Sequence, residues 1–140
     1  MNDRRDFLTA GLMGLAASFI ATRDAGAAPS SKGLAQRDAP KVNLDGWQMT
    51  ASEVTYPPGE SSGKHRHPGF VVGYVLEGQY RFAVNDQPPG VFSQGQMFFE
   101  SFDGPGDVHS TSGNASATQP AKILAIVFTK KGDPVTIPGA

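Results

Sequence analysis

The chain has 140 residues with 17 Gly, 11 Pro, no Cys and a formal net charge of −1, a size that fits one compact domain. The near-neutral charge leaves no basic field to grip a phosphate backbone, which argues against a nucleic-acid partner. Without Cys, disulfides, thiolate metal sites and thiol catalysis are all excluded, and any metal chemistry falls to the three His and to carboxylates.

In chain order, residues 1–27 read as a targeting peptide. A charged start (Asp3, Arg4, Arg5, Asp6) precedes an apolar run from Phe7 to Ala21 and then Ala25-Gly26-Ala27. The run is too short for a spanning helix, which needs about 20 apolar residues, so no stable membrane anchor is expected after cleavage. An N-terminal helix packed on the domain, or an uncleaved anchor, is the competing reading. Removing residues 1–27 takes away Arg4, Arg5 and Arg23 together with Asp3, Asp6 and Asp24, so the charge does not change. Residues 28–40 are small and polar without periodicity, the composition of a flexible tether, and the folded domain is expected over 41–140.

The body reads as strands. Trp47, Met49 and Ala51, then Val54 and Tyr56 after a change of parity, suggest two short strands or one bent strand ending at Pro57-Pro58-Gly59. Phe70 to Leu76 is a nearly continuous apolar run, the pattern of a strand covered on both faces, and Glu77-Gly78 turns it. Tyr80, Phe82 and Val84 alternate with polar or small residues, which gives the return strand one buried face. Val91-Phe92, Met97 to Phe102 and Ile123 to Phe128 complete the set. No stretch after residue 40 holds a helical period for three turns. Many short strands with close-spaced turns mean an all-β sandwich or small barrel.

The three His fall in two turn-flanked segments, as His65-Arg66-His67 and as His109. Residues two apart on an extended strand point the same way, so His65 and His67 can bring both imidazoles to one point, and a third from a distant strand would close a site. The same residues also read as a solvated polar loop and an unrelated turn His. Tyr74, Tyr80 and Glu100 are candidates for orienting substrate, and Glu100, Gln79 and Tyr80 for a substitute ligand. For Glu100 the favoured reading is an exposed carboxylate at a strand end. Asp107 is a candidate acceptor for the His109 ring, with a solvated turn residue as the favoured reading. Phe70, Phe82, Phe92, Phe98, Phe99 and Phe102 are expected in the core, some of them lining a cavity.

Two resemblances add to these readings. Arg4-Arg5-Asp6-Phe7-Leu8 resembles the twin-arginine signal, which implies a bacterial protein exported folded, hence periplasmic or secreted. Gly59, His65, His67 and Gly78, with Gly106 and His109 following, resemble the two motifs of the cupin superfamily, over about residues 41–134. That resemblance implies a double-stranded β-helix, a jelly-roll small barrel, with a divalent transition metal on His65, His67 and His109. The carboxylate of the first motif is missing, since its place falls on Val71 or Val72, and the second motif is longer than usual, with an insertion around Asp103-Gly104. Three imidazoles still suit Fe, Ni, Cu or Zn. By analogy with three-His cupin dioxygenases, Fe leads, with Mn, Ni, Zn or Cu as alternatives, and oxygen insertion into a small organic substrate is the leading activity. A non-catalytic binding or sensing module is the alternative. A homodimer is a further expectation from the resemblance.

Overall fold

The computed structural model describes residues 28–102 and 106–139. The targeting peptide at 1–27 and the insertion at Asp103-Gly104 lie outside the described residues. The described chain is all-β: β1 (Trp47–Tyr56), β2 (Ser61–Ser62), β3 (His65–Arg66), β4 (Gly69–Glu77), β5 (Gln79–Val84), β6 (Gly90–Ser93), β7 (Met97–Glu100), β8 (Val108–Asn114), β9 (Ala121–Lys130) and β10 (Ile137–Pro138). They form two antiparallel sheets. One has the order β1-β9-β4-β7; the other has the order β10-β3-β8-β5-β6, with β2 also on β8.

The apolar run of β4 places it inside its sheet, between β9 and β7. Val71 and Val75 face the barrel interior and are almost fully buried. Phe70, Val72 and Tyr74 alternate to the other face. Interior packing joins Tyr56, Val75, Tyr80, Phe82, Phe98, Ala121 and Ile123 into one cluster. Phe98 lies opposite Gly73 across the β4–β7 pair, and a Cβ on Gly73 would overlap its ring. The glycine is what lets this aromatic wall close. Gly78, at φ 73°, makes the left-handed turn between β4 and β5 that a residue with a Cβ would adopt only with strain.

β1 is one continuous strand, not two: its ten residues pair with β9 without a register shift. The apparent parity change arises because Met49 is 60% exposed and Ala51 is exposed as well, so neither marks the buried face. In β5, Ala83 is buried in addition to Tyr80 and Phe82, because an irregularity between Ala83 and Val84 breaks the pairing with β8. The compact unit runs over Lys32–Ala140. Within it Arg37, from the stretch read as a tether, lies 5.2 Å from the Phe99 ring and 5.7 Å from the Phe102 ring, a cation–π arrangement. With Phe70, these two rings line an outer cavity of about 400 Å³ and not the barrel interior.

Candidate metal centre

β3 is two residues long and is held on both edges. Pro138 and Ile137 of β10 pair with His65 and Arg66 on one side, and β8 pairs on the other. On that second side His65 is directly opposite His109, so the two side chains leave the sheet on the same face. Their ring centroids are 4.7 Å apart, and those of His65 and His67 are 5.1 Å apart. One nitrogen from each of the three rings lies within 4.8 Å of the other two. The spacing of two along the chain and the pairing across strands therefore meet at one point.

The hydrogen bonds fix which nitrogens are free. His65 Nδ1 donates to the Gly63 carbonyl at 2.8 Å, and His67 Nδ1 donates to the Val135 carbonyl at 2.6 Å. A carbonyl only accepts, so Nδ1 is the donor in both rings and Nε2 is the nitrogen left to ligate. His109 has Nε2 3.2 Å from the Tyr80 hydroxyl, while Nδ1 is buried without a hydrogen-bond partner. Burial, followed by the neighbouring His65 and His67, pushes the His109 imidazole down to about 3. Burial likewise lowers His67, against the Val135 carbonyl, which raises it. Both rings are thus held neutral, the form that ligates.

Glu100 is 3% exposed, which corrects the expectation of a solvated strand-end carboxylate. The signal lay in strand pairing, which the local sequence does not reveal: β7 sets Glu100 directly opposite Val71, on the inward face. Its Oε1 lies 3.2 Å from His109 Nδ1 without hydrogen-bond alignment, and its Oε2 is buried and unpartnered. Burial, and next the negative charge of Asp107, pushes the Glu100 carboxyl up to about 8. Without a metal the carboxyl is thus held in its protonated form, and a cation between imidazole and carboxylate would take that proton's place.

Tyr80 is fully buried and belongs to the site. Its hydroxyl bridges His109 Nε2 and Ser112 Oγ, the latter at 2.8 Å, and Ser112 Oγ lies 2.7 Å from the Tyr56 hydroxyl. These groups and the three His border a cavity of about 380 Å³, walled by Phe98, Ile123 and Val127. That volume suits a small organic molecule. Ser112 and Tyr56 were not singled out in the sequence, since neither carries a motif.

Tyr74 does not join the site: it is on the face of β4 opposite Val71 and Val75 and does not line the cavity. Gln79 is exposed. Asp107 does not touch an imidazole either. It accepts from the Ser101 amide at 2.6 Å and from Asn85 Nδ2 at 2.8 Å, and so clamps the chain ahead of β8.

The profile of the cupin domain family matches residues 52–127, more than half of the chain. The chain belongs to the cupin family. This cupin is similar in fold to the DMSP lyase DddQ from Ruegeria pomeroyi, with 21% identity, 64% of this chain and 42% of that chain covered, and a TM-score of 0.52. A double-stranded β-helix protein from Klebsiella pneumoniae matches with 15% identity, 80% and 90% coverage and a TM-score of 0.54. The oxalate decarboxylase of Bacillus subtilis, described with Mn(II) centres, matches with 19% identity, 64% and 23% coverage and a TM-score of 0.50. The cupin thus spans less than half the length of the lyase and of the decarboxylase. No curated protein matches this sequence.

The cupin's donor set fits a divalent transition metal. His65, His67 and His109 would hold it, three imidazoles converging beside the Glu100 carboxyl group, whose Oε2 has no hydrogen-bond partner.

Proposed function

We propose that this cupin is a metal-dependent enzyme that acts on a small organic molecule in the barrel cavity, with oxygen insertion as the leading reaction and iron as the leading metal. The observation that carries the reading is the convergence of three imidazoles at the wall of a cavity of about 380 Å³. A bound transition ion supplies Lewis acidity and redox chemistry there. The chain's own residues do the rest. Phe98, Ile123 and Val127 exclude water, and the Tyr80 hydroxyl offers a donor or acceptor beside His109. Structural neighbours described as a DMSP lyase and as a decarboxylase with Mn(II) support small-molecule chemistry on this fold, and they keep Mn beside Fe as an alternative. Export is part of the proposal: Arg4-Arg5-Asp6-Phe7-Leu8 supports twin-arginine transport to the periplasm or beyond.

Elemental analysis of the purified protein tests the metal. Wild type is expected to carry close to one equivalent of a transition ion, and His65→Ala and His109→Ala much less. Below about a tenth of an equivalent in wild type, the metal-enzyme reading fails. Oxygen uptake with panels of thiols, diketones and phenols then tests the reaction. Val71, apolar where the first cupin motif has a carboxylate, favours a second reading, a non-catalytic binding module. Metal present with no uptake on any panel selects it.

A further inference from the structure

We propose that Glu100 is the carboxylate ligand of this centre, supplied from β7 to the place that Val71 on β4 leaves apolar. The inference rests on the metal reading above and adds a fourth donor to it. Directly opposed residues of an antiparallel pair share a face, so a carboxylate at 100 projects into the same space as one at 71 would. Glu100 is deeply buried, and no Lys or Arg pairs with it among the described residues. An ionised carboxylate in such a place is costly: without a cation the group stays protonated, and a cation at the site is what lets it ionise. The cation available is the one that the three imidazoles are arranged to hold. The Glu100 carboxylate reaches the edge of that cluster, 3.2 Å from the unpartnered Nδ1 of His109.

The fourth donor changes which ion is preferred. Three imidazoles alone suit Zn, Cu, Ni and Fe, whereas a carboxylate oxygen brings a hard, charged ligand that moves the preference toward Mn. The centre is therefore assigned three nitrogens and one oxygen, and the ion gains a counter-charge.

Calorimetric titration of the full-length, metal-stripped protein with Mn(II) and with Zn(II) tests this. Glu100→Gln is expected to weaken Mn(II) binding at least about tenfold and Zn(II) binding less, since the oxygen donor matters more to Mn(II). The double variant Val71→Glu/Glu100→Gln returns a carboxylate to the opposite strand and is expected to recover most of the Mn(II) affinity. A second measurement needs no variant. With glutamate carboxyl groups labelled with ¹³C, Zn(II) is expected to shift one signal of the wild type, because Glu53, Glu60 and Glu77 are exposed. Mn(II) affinity within twofold of wild type in a folded Glu100→Gln, or no carboxyl shift on Zn(II) binding, overturns the inference and leaves the three-His site standing. A wild type that binds neither ion overturns both.

Discussion

At the scale of single residues, the orientation of His109 is the point on which the centre turns. Its Nε2 is engaged by the Tyr80 hydroxyl, which is itself anchored on Ser112 and, through it, on Tyr56. Removing the hydroxyl leaves the ring free to rotate and leaves Ser112 short of a buried partner. Tyr80→Phe is accordingly expected to lower metal affinity about 10- to 100-fold, as losses behind a metal-bound His do. It should also destabilise the metal-free fold by about 1–2 kcal/mol. Metal titration and urea unfolding of the same samples separate the two effects; unchanged affinity with reduced stability would show that Tyr80 is only a packing residue. The three imidazoles were legible in the sequence because a spacing of two on an extended chain is a local property. Glu100 was not, because its inward direction depends on pairing with Val71, a residue 29 positions away. Asp107 agrees with its favoured reading as a turn residue: proximity in sequence to His109 does not put it near the ring, and it turns to Ser101 and Asn85.

At the scale of elements, glycines and apolar runs carried most of what could be read. The motif glycines Gly59, Gly78 and Gly106 all have φ near 74°, so each marks a turn that other residues resist, and their spacing reports strand length directly. The two-residue strands β2, β3 and β10 have no such signature; β2 and β3 pair with the longer β8, and β10 pairs with β3. β10 nonetheless has a defined task. The segment leading into it supplies the Val135 carbonyl that holds His67, and its own residues pair with β3. Truncation after Pro134 removes both supports but leaves β1, β4, β5, β8 and β9 intact. Metal affinity is expected to fall about tenfold or more, with only a modest loss of thermal stability. Full affinity in the truncated protein would show that β3 is held by β8 alone.

At the scale of the whole molecule, the stability of the metal-free protein depends on pH in opposite senses on two sides. Glu100 has its folded value raised from 4.5 to about 8, so the folded state holds the extra proton; the stability present below 4.5 is lost as pH rises toward 8. His109 has its folded value lowered from 6.5 to about 3, so the unfolded state binds the extra proton, and stability rises with pH across that interval. The two slopes oppose one another between 4.5 and 6.5, and the metal-free protein is expected to be most stable there. Above 6.5 the loss is at most about 1.4 kcal/mol per pH unit. Urea unfolding of stripped protein from pH 4 to 9 checks this. Glu100→Gln should abolish the decline above 6.5, and a wild type that gains stability from 6.5 to 8 contradicts the account.

The donors that meet at the centre come from separate parts of the chain: His65 and His67 lie early, His109 late, and the carbonyl behind His67 belongs to residue 135. During synthesis no short stretch can assemble the site, and an ion offered to a partly made chain meets at most two of the three imidazoles together. The metal is therefore selected only when folding is complete, from whatever ions surround the chain at that moment. Under the twin-arginine route proposed above, that moment precedes transport, so the identity of the metal would reflect ion supply on the side of synthesis and not on the side where the protein works.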